Sequence, residues 1–381
     1  MICDKNLSER ALPKVWDEKQ TDWTLRRREL RELLQREVYG YLPEAPQAIR
    51  FVPLPGEATD GNFCAGKASV RRILLEAELN GKRISFPFCA VIPRNQSNLP
   101  FFVHINFRDQ VPDKYMPTQE IVDNGFAVFS FCYLDVTTDD GDFDNGLAGA
   151  IFRGRPREQH DCGKIAMWAW AASRVMDYCQ TLDCLDLRRG AVVGHSRLGK
   201  TALVAGMMDP RFSCAISNDS GCAGAALARG NQGERVSDIT RNFPFWFAPN
   251  YLQYSDNETT MPFDQHFLLA ACAPRAVYVA SAAEDAWADP NSEYLSCCAA
   301  GAVYERLGLT GFVHPDRLPQ CADTFHDGSI GYHLRAGRHY LSREDWNQFF
   351  RFLSKIHETA ETNLQEDEQW NSAKNCALDM I

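Results

Sequence analysis

The segment Val192-Val-Gly-His-Ser-Arg-Leu-Gly-Lys-Thr201 puts one hydroxyl where it can become a nucleophile. A short apolar run, Gly190–Gly194, enters His195-Ser196, and a helix over about 197–208 starts at once. A chain turning so sharply from strand to helix leaves no room for a side chain at Gly194. It holds Ser196 at the carboxyl edge of a sheet and aims the backbone N–H of Arg197 into the same space. That N–H, at a helix N-terminus, can donate to a developing oxyanion. The spacing departs from G-x-S-x-G: Leu198 stands at the second glycine and the next glycine is Gly199. The same letters fit G-x-x-x-x-G-K-[ST], the pattern of a phosphate-binding loop. His195, Arg197 and Leu198 are too bulky for a glycine-rich cradle, and the segment lies mid-chain. The nucleophile turn is therefore preferred, with the phosphate loop and an ordinary turn as alternatives.

A neutral serine hydroxyl is too weak without a base. Among nine histidines, His339 follows a glycine-containing turn and precedes the last helix. His333 is the second candidate, with packing as its alternative role. His195 is expected to point into the core, and His160, His314 and His326 to lie in polar surface loops. A base needs an acid to hold its tautomer. Asp219 follows a short strand and Asp285 a later one; Asp285 is favoured slightly, and both are retained. Arg197 and Lys200 share one face of the first turn after Ser196. Cations there oppose the helix dipole, a local cost that argues for function. Asp139-Asp-Gly-Asp-Phe-Asp144 resembles a calcium loop, but the bidentate glutamate would fall at Ile151, so an acidic surface loop is expected.

The string Gly194-His-Ser-Arg-Leu-Gly-Lys200 resembles the G-x-S-R-x-G-K signature of the glucuronoyl esterases, carbohydrate esterase family fifteen. Further blocks are similar to its bacterial members: Trp168-Ala-Trp170, Asn218-Asp-Ser-Gly-Cys-Ala-Gly224, Met261-Pro-Phe-Asp-Gln-His266, Ala273-Pro-Arg275, Glu284-Asp-Ala-Trp-Ala-Asp-Pro290 and Gly331-Tyr-His-Leu-Arg-Ala-Gly-Arg-His339. The likeness spans about residues 20–355. It implies a three-layer α/β-hydrolase fold and hydrolysis of esters of 4-O-methyl-glucuronic acid, without metal or organic cofactor. It aligns His339 with the family's catalytic histidine, Asp219 with the position of its glutamate, and Asp285 with the alternative acid of bacterial members. The shorter Asp219 leaves its reach in question. The resemblance gives Arg197 an oxyanion role, Lys200 and Glu234 contacts to sugar hydroxyls, and Trp287 a wall of the sugar pocket. Trp168, Trp170 and Trp246 are expected in the core. Acetyl- or feruloyl-xylan esterase activity, and a catalytically silent carbohydrate-binding relative, are the alternative functions.

The elements that must position these groups follow from patterning. Residues 24–39 place Leu25, Leu30, Leu33, Leu34 and Val38 near one helical face, ended by Gly40. Residues 69–92 are two strands joined at Asn80-Gly81, a hairpin signal. Pro100–Asn106 and Phe126–Tyr133 are continuous apolar runs suited to strands buried on both faces. A buried helix over 163–180, strands at 215–217 and 276–281, and a capping box at Ser342–Asp345 opening a helix over about 343–356 complete the pattern. One domain is expected: a mostly parallel sheet with helices on both faces and a polar tail after about 357.

The composition, 45% hydrophobic and 24% charged over 381 residues, excludes fibrous and low-complexity classes. A net charge of -10 repels phosphate backbones, so nucleic acid is not an expected partner. No apolar run reaches the ~18 residues of a membrane span, and the first twenty residues lack the apolar centre of a signal peptide. The 14 cysteines contain no C-x-x-C pair, so structural zinc has no support. Reduced thiols in a cytoplasmic protein are expected, with Cys89, Cys132 and Cys214 acting as small hydrophobes in strands.

Overall fold

The computed structural model describes residues 2–17, 19–56 and 61–358. Ten strands form one sheet: β1 (Ile49–Pro53), β2 (Ala68–Leu79), β3 (Lys82–Pro93), β4 (Leu99–Asn106), β5 (Ala127–Cys132), β6 (Leu185–His195), β7 (Cys214–Asn218), β8 (Ala276–Ala282), β9 (Thr324–Phe325) and β10 (Ile330–Arg335). Their spatial order is β1-β2-β3-β5-β4-β6-β7-β8-β10-β9. The run β5-β4-β6-β7-β8-β10 is parallel, and antiparallel strands flank it on both sides. This is the α/β-hydrolase arrangement, with helices covering both faces.

The hairpin is joined at Asn80-Gly81, both at positive φ, as a tight two-residue turn requires. Along the parallel strands, side chains alternate between two cores. Phe101, Val103 and Val192 face one core with Trp168 and the helix Lys164–Cys179. Phe102, Ala191 and Val193 face the other with Trp346, Phe349 and Phe350, which lie on a helix over 343–358. The capping box opens that helix: Ser342 N–H donates to Asp345 at 2.6 Å, and Asp345 N–H donates back to Ser342 Oγ at 3.3 Å. The polar tail expected after 357 lies almost wholly outside the described residues. Among the described residues, no helix is long and apolar enough to cross a membrane.

Three expectations need correction. The helix expected over 24–39 is α-helical only over Trp23–Leu34; Gln35–Tyr39 widens into a π-turn before Gly40. Leu25 is 41% exposed. At ~100° per residue it stands about 140° round the helix from Leu30, and Trp23 takes the buried place instead. β6 begins at Leu185, well before the apolar run at Gly190; its first residues carry Asp186, Arg188 and Arg189 and an exposed Leu187, so they form no apolar run.

The strand order decides where chemistry can occur. In open α/β sheets ligands bind outside the carboxyl ends of the strands. Ser196 directly follows β6, Asp219 follows β7, Asp285 lies past β8, and His339 lies past β10. The turn after β6 is closely packed: a Cβ on Gly194 would lie 2.1 Å from the carbonyl oxygen of Leu198. Backbone atoms cannot yield there, so Gly194→Ala is expected to cost ~3 kcal/mol as an overpacked site. A lowered urea midpoint at unchanged slope is the measurement; an unchanged midpoint would show that the turn relaxes.

Candidate active site

Ser196 adopts φ 59°, ψ −126°, left-handed backbone in a non-glycine residue. Such strain persists only where the surroundings enforce it. Here Ser196 N–H donates to Asn218 O at 2.8 Å, locking the turn to the end of β7. The helix Arg197–Met208 starts immediately, and its first N–H groups have no acceptor within the helix. The phosphate-loop reading is not supported by the geometry. Arg197–Lys200 is already helical, and a Cβ at Gly199 would come 3.1 Å from Asn218 O, so that glycine serves helix–strand packing.

Ser196 opens into a cavity of about 330 Å³ that also touches Arg197, Lys200, Asp219, Glu234, Asp285, Trp287 and His339. Apart from His333, the second candidate base, the site residues read from the sequence meet in one place. His339 Nδ1 lies 2.6 Å from Asp285 Oδ2. That contact fixes the imidazole tautomer and leaves Nε2 as its free nitrogen. The ring packs 4.5 Å from that of His195. His195 is buried as expected. Its Nδ1 is 2.6 Å from Asn218 Oδ1, and its pKa is lowered to about 3 by burial and then by the neighbouring His339. It therefore stays neutral and acts as a flat wall behind His339. His333 is also buried, with Nδ1 2.9 Å from Tyr278 Oη and Nε2 2.9 Å from Asp345. Both its nitrogens are occupied. His326 is not a free surface residue: its Nε2 lies 2.7 Å from Tyr278 Oη.

Asp219 is close to this pair but differently engaged. Its Oδ2 accepts from Arg335 at 3.2 Å and from Tyr340 N–H at 3.3 Å. Its Oδ1 is buried without a partner. Burial, together with the nearby Glu293 and Asp345 carboxylates, drives its pKa well up and outweighs the attraction of Arg335. The two carboxylates thus have separate partners: Asp285 holds the imidazole, and Asp219 holds the loop that carries it.

Arg335 was not foreseen. It ends β10, is 4% exposed, and uses every N–H it has. Nε donates to both oxygens of Asp345 at 2.9 Å. Nη1 donates to the carbonyls of Ala336 at 3.0 Å and Arg338 at 3.1 Å, and Nη2 donates to Asp219 and to Tyr340 O. The loop around His339 is wrapped on this guanidinium.

The opposite walls carry the cations. Neither is a solvent-screened surface charge. Lys200 is 4% exposed, donates to Ser220 O, and stands 3.9 Å from Glu234. Burial raises the Glu234 pKa despite Lys200, and the Trp287 side chain also hydrogen-bonds that carboxylate. Trp287 is 56% exposed, so it is a rim of the cavity and not core. Arg197 is paired with Asp139, and its guanidinium lies 4.7 Å from the Trp246 ring centroid. Trp246 donates from Nε1 to the same Asp139 at 2.6 Å and stacks on Phe243 at 3.9 Å. Two expectations change here. Trp246 is buried as core, yet it also lines the cavity. Asp139 does not belong to a surface acidic loop: its carboxylate is 10% exposed and anchors the Arg197 wall.

The chain is similar to known proteins over most of its length. The sequence profile described as "Glucuronyl esterase, fungi" matches residues 75–308. The chain is 32% identical over 377 residues to carbohydrate esterase MZ0003 of an unknown prokaryotic organism, covering 89% of this chain and 84% of that one. The chain belongs to the glucuronoyl esterase family. A 4-O-methyl-glucuronoyl methylesterase of Podospora anserina is 30% identical, covering 75% of this chain and 57% of that relative. A glucuronoyl esterase structure from Solibacter usitatus superposes with a TM-score of 0.81 at 31% identity, covering 90% of this chain and 97% of that one. As a glucuronoyl esterase family member, the protein is a carboxylic ester hydrolase.

Beneath the esterase cavity lies Glu293, another residue the sequence did not mark. It is fully buried and accepts from Ser281 Oγ at 2.5 Å and from Gly221 N–H at 2.9 Å. Burial is the main cause that pushes its pKa up to about 7. An unfolded glutamate titrates near ~4.3. The folded state therefore holds the proton more tightly, and stability falls as pH rises from there through about 7. Glu293→Gln should remove that slope. Chemical denaturation at several pH values should find the variant more stable than wild type by ~1–3 kcal/mol at pH 8, with the gain vanishing near pH 4.5. Parallel curves at all pH values would contradict this.

Proposed function

We propose that this esterase hydrolyses esters of glucuronic acid, including its 4-O-methyl form, through an acyl-enzyme on Ser196. The observation that carries the reading is the 2.6 Å contact between His339 and Asp285 at the edge of the cavity that Ser196 enters. Ser196 Oγ attacks the ester carbonyl as His339 Nε2 takes its proton. The tetrahedral oxyanion is stabilised by Arg197, through its N–H and its held guanidinium. His339 then returns the proton to the leaving alcohol. Water, activated by the same imidazole, attacks the acyl-enzyme and releases the uronic acid. Asp285 stabilises the imidazolium at both stages.

The rest of the cavity suits a uronate ring. Lys200 donates and Glu234 accepts, an arrangement that fits hydroxyls on neighbouring ring carbons. The exposed Trp287 offers a flat apolar face to the C–H side of a pyranose. The likeness to a 4-O-methyl-glucuronoyl methylesterase of Podospora anserina supports the same acyl group. A broader ester range is a second reading. It is supported by the likeness, at 30% identity and a TM-score of 0.79, to a structure described as a promiscuous CE15 esterase from a marine bacterial metagenome.

The test is kcat/KM for benzyl glucuronate against an aryl acetate, in wild type and four variants. Ser196→Ala should lose at least ~10³-fold on both. Asp285→Asn should lose ~10³–10⁴-fold through the wrong tautomer. Asp219→Asn, whose partners are in the loop, should lose about tenfold or less. Lys200→Met should raise KM for the glucuronate alone. A larger loss for Asp219→Asn than for Asp285→Asn would reassign the acid. Equal loss of both esters in Lys200→Met would favour the broader range.

A further inference from the structure

Four arginines meet on the opposite side of the molecule from the catalytic serine, around the helix Trp23–Leu34. A cavity of about 440 Å³ there is lined by Trp23, Arg27, Arg28, Arg31 and Pro274, with Asp22 at its edge. Arg275, next to Pro274, is close enough that its charge lowers the proton affinity of both Arg27 and Arg31, after the larger effect of their burial.

These cations have few acceptors. Arg27 Nε donates to Ala271 O at 2.8 Å, and Arg275 Nη1 donates to the carbonyls of Asp209 at 3.0 Å and Phe212 at 2.9 Å. Arg27 Nη2, Arg31 Nε, and Arg275 Nε and Nη2 are buried without a partner. Among the described residues, none of the four arginines is in a salt bridge. Asp209 is already gripped by Arg211, with contacts of 2.9 and 2.6 Å. Asp22 caps the helix by accepting from Leu25 N–H at 3.1 Å.

This arrangement is costly as it stands. The guanidinium groups of Arg27, Arg31 and Arg275 are half-buried, so lacking a counter-charge carries a partial desolvation cost, and their buried N–H groups without acceptors add to it. Arg27 and Arg31 are one helical turn apart, where like charges repel. General basicity does not explain the cluster, since the chain carries a net charge of -10. An oxyanion resolves all three costs: it supplies the counter-charge, and its oxygens match the forked N–H pairs of guanidinium groups.

We propose that this cavity is an anion-binding site, selective for a tetrahedral dianion such as phosphate or sulfate, free or as the terminal group of an ester. The site is independent of the esterase chemistry. A sugar phosphate or a sulfated saccharide would present the same oxygens as the free ion.

The test uses the intact protein and inorganic phosphate, with sodium sulfate, sodium acetate and sodium chloride at matched ionic strength. Phosphate and sulfate at about 10 mM should raise Tm by several degrees, with a calorimetric Kd below ~1 mM. Chloride and acetate should move Tm by about a degree or less. Glucose 6-phosphate in a further arm distinguishes a free ion from a phosphate ester. Arg28→Gln/Arg31→Gln should abolish the phosphate shift and leave kcat/KM on the ester unchanged. Without phosphate it should be at least as stable as wild type, because repulsion is relieved. Should the double variant not fold, Arg28→Gln alone, at an exposed position, must weaken phosphate binding at least threefold. Equal shifts from phosphate and chloride would overturn the proposal. So would a phosphate shift that survives the substitutions, since it would place the anion elsewhere, for example beside Arg197 and Lys200.

Discussion

Burying a guanidinium is tolerable only when all of its N–H groups find acceptors, because the desolvation cost of the charge is several kcal/mol. Arg335 meets that condition with the carbonyls of Ala336, Arg338 and Tyr340 and the carboxylates of Asp219 and Asp345. Most of those acceptors belong to the loop that carries His339. The loop therefore has one conformation that satisfies the charge, and the imidazole inherits its place from that conformation. Asp345 extends the arrangement. It also accepts from Asn218 at 3.2 Å, and Asn218 in turn holds His195, whose ring backs His339. The nucleophile strand, its neighbour and the histidine loop are joined beneath the site by one continuous set of buried polar contacts.

This arrangement separates two carboxylates that are alike in sequence. Asp219 and Asp285 both follow strands, and both come within reach of His339. Burial and the proximity of other acids push the Asp219 pKa up, and its Oδ2 is spent as an acceptor for Arg335 and Tyr340 of the loop. Asp285 has the direct contact with the imidazole. Pushing the titrations of neighbouring acids apart is how a crowded site assigns them different work. Glu293, below them, follows the same rule through burial.

Much of the fold was legible because buried strands declare themselves. Phe101–Asn106 and Ala127–Cys132 are apolar on both faces, and the turn at Ser196 has a glycine that nothing else could replace. Ser196, His339 and Asp285 could be placed because each follows a strand or a turn where such groups are exposed. β10 could not be read as a strand, since its His333 and Arg335 look like surface residues until Asp345 is brought to them by the fold. The same holds for Asp139 and Glu293. Each takes its meaning from partners far away in the chain: Arg197 and Trp246 for the first, Ser281 and Gly221 for the second. Composition shows only an acidic loop and a helical glutamate. Trp246 was half legible, because a residue can be core on one side and cavity wall on the other.

Asp139 accepts from Tyr133 Oη at 3.1 Å as well as from Trp246 and Arg197. Three separate stretches of chain thus share a single acceptor. A change at any one of those four positions leaves the others with a mismatched neighbour, so drift along this wall is penalised one step at a time. The opposite rim is tied differently: Trp287 stands in solvent, but its carbonyl accepts from Glu234 N–H at 2.8 Å. The Arg197 wall thus behaves as one unit, in which Tyr133, Arg197 and Trp246 answer to the same carboxylate.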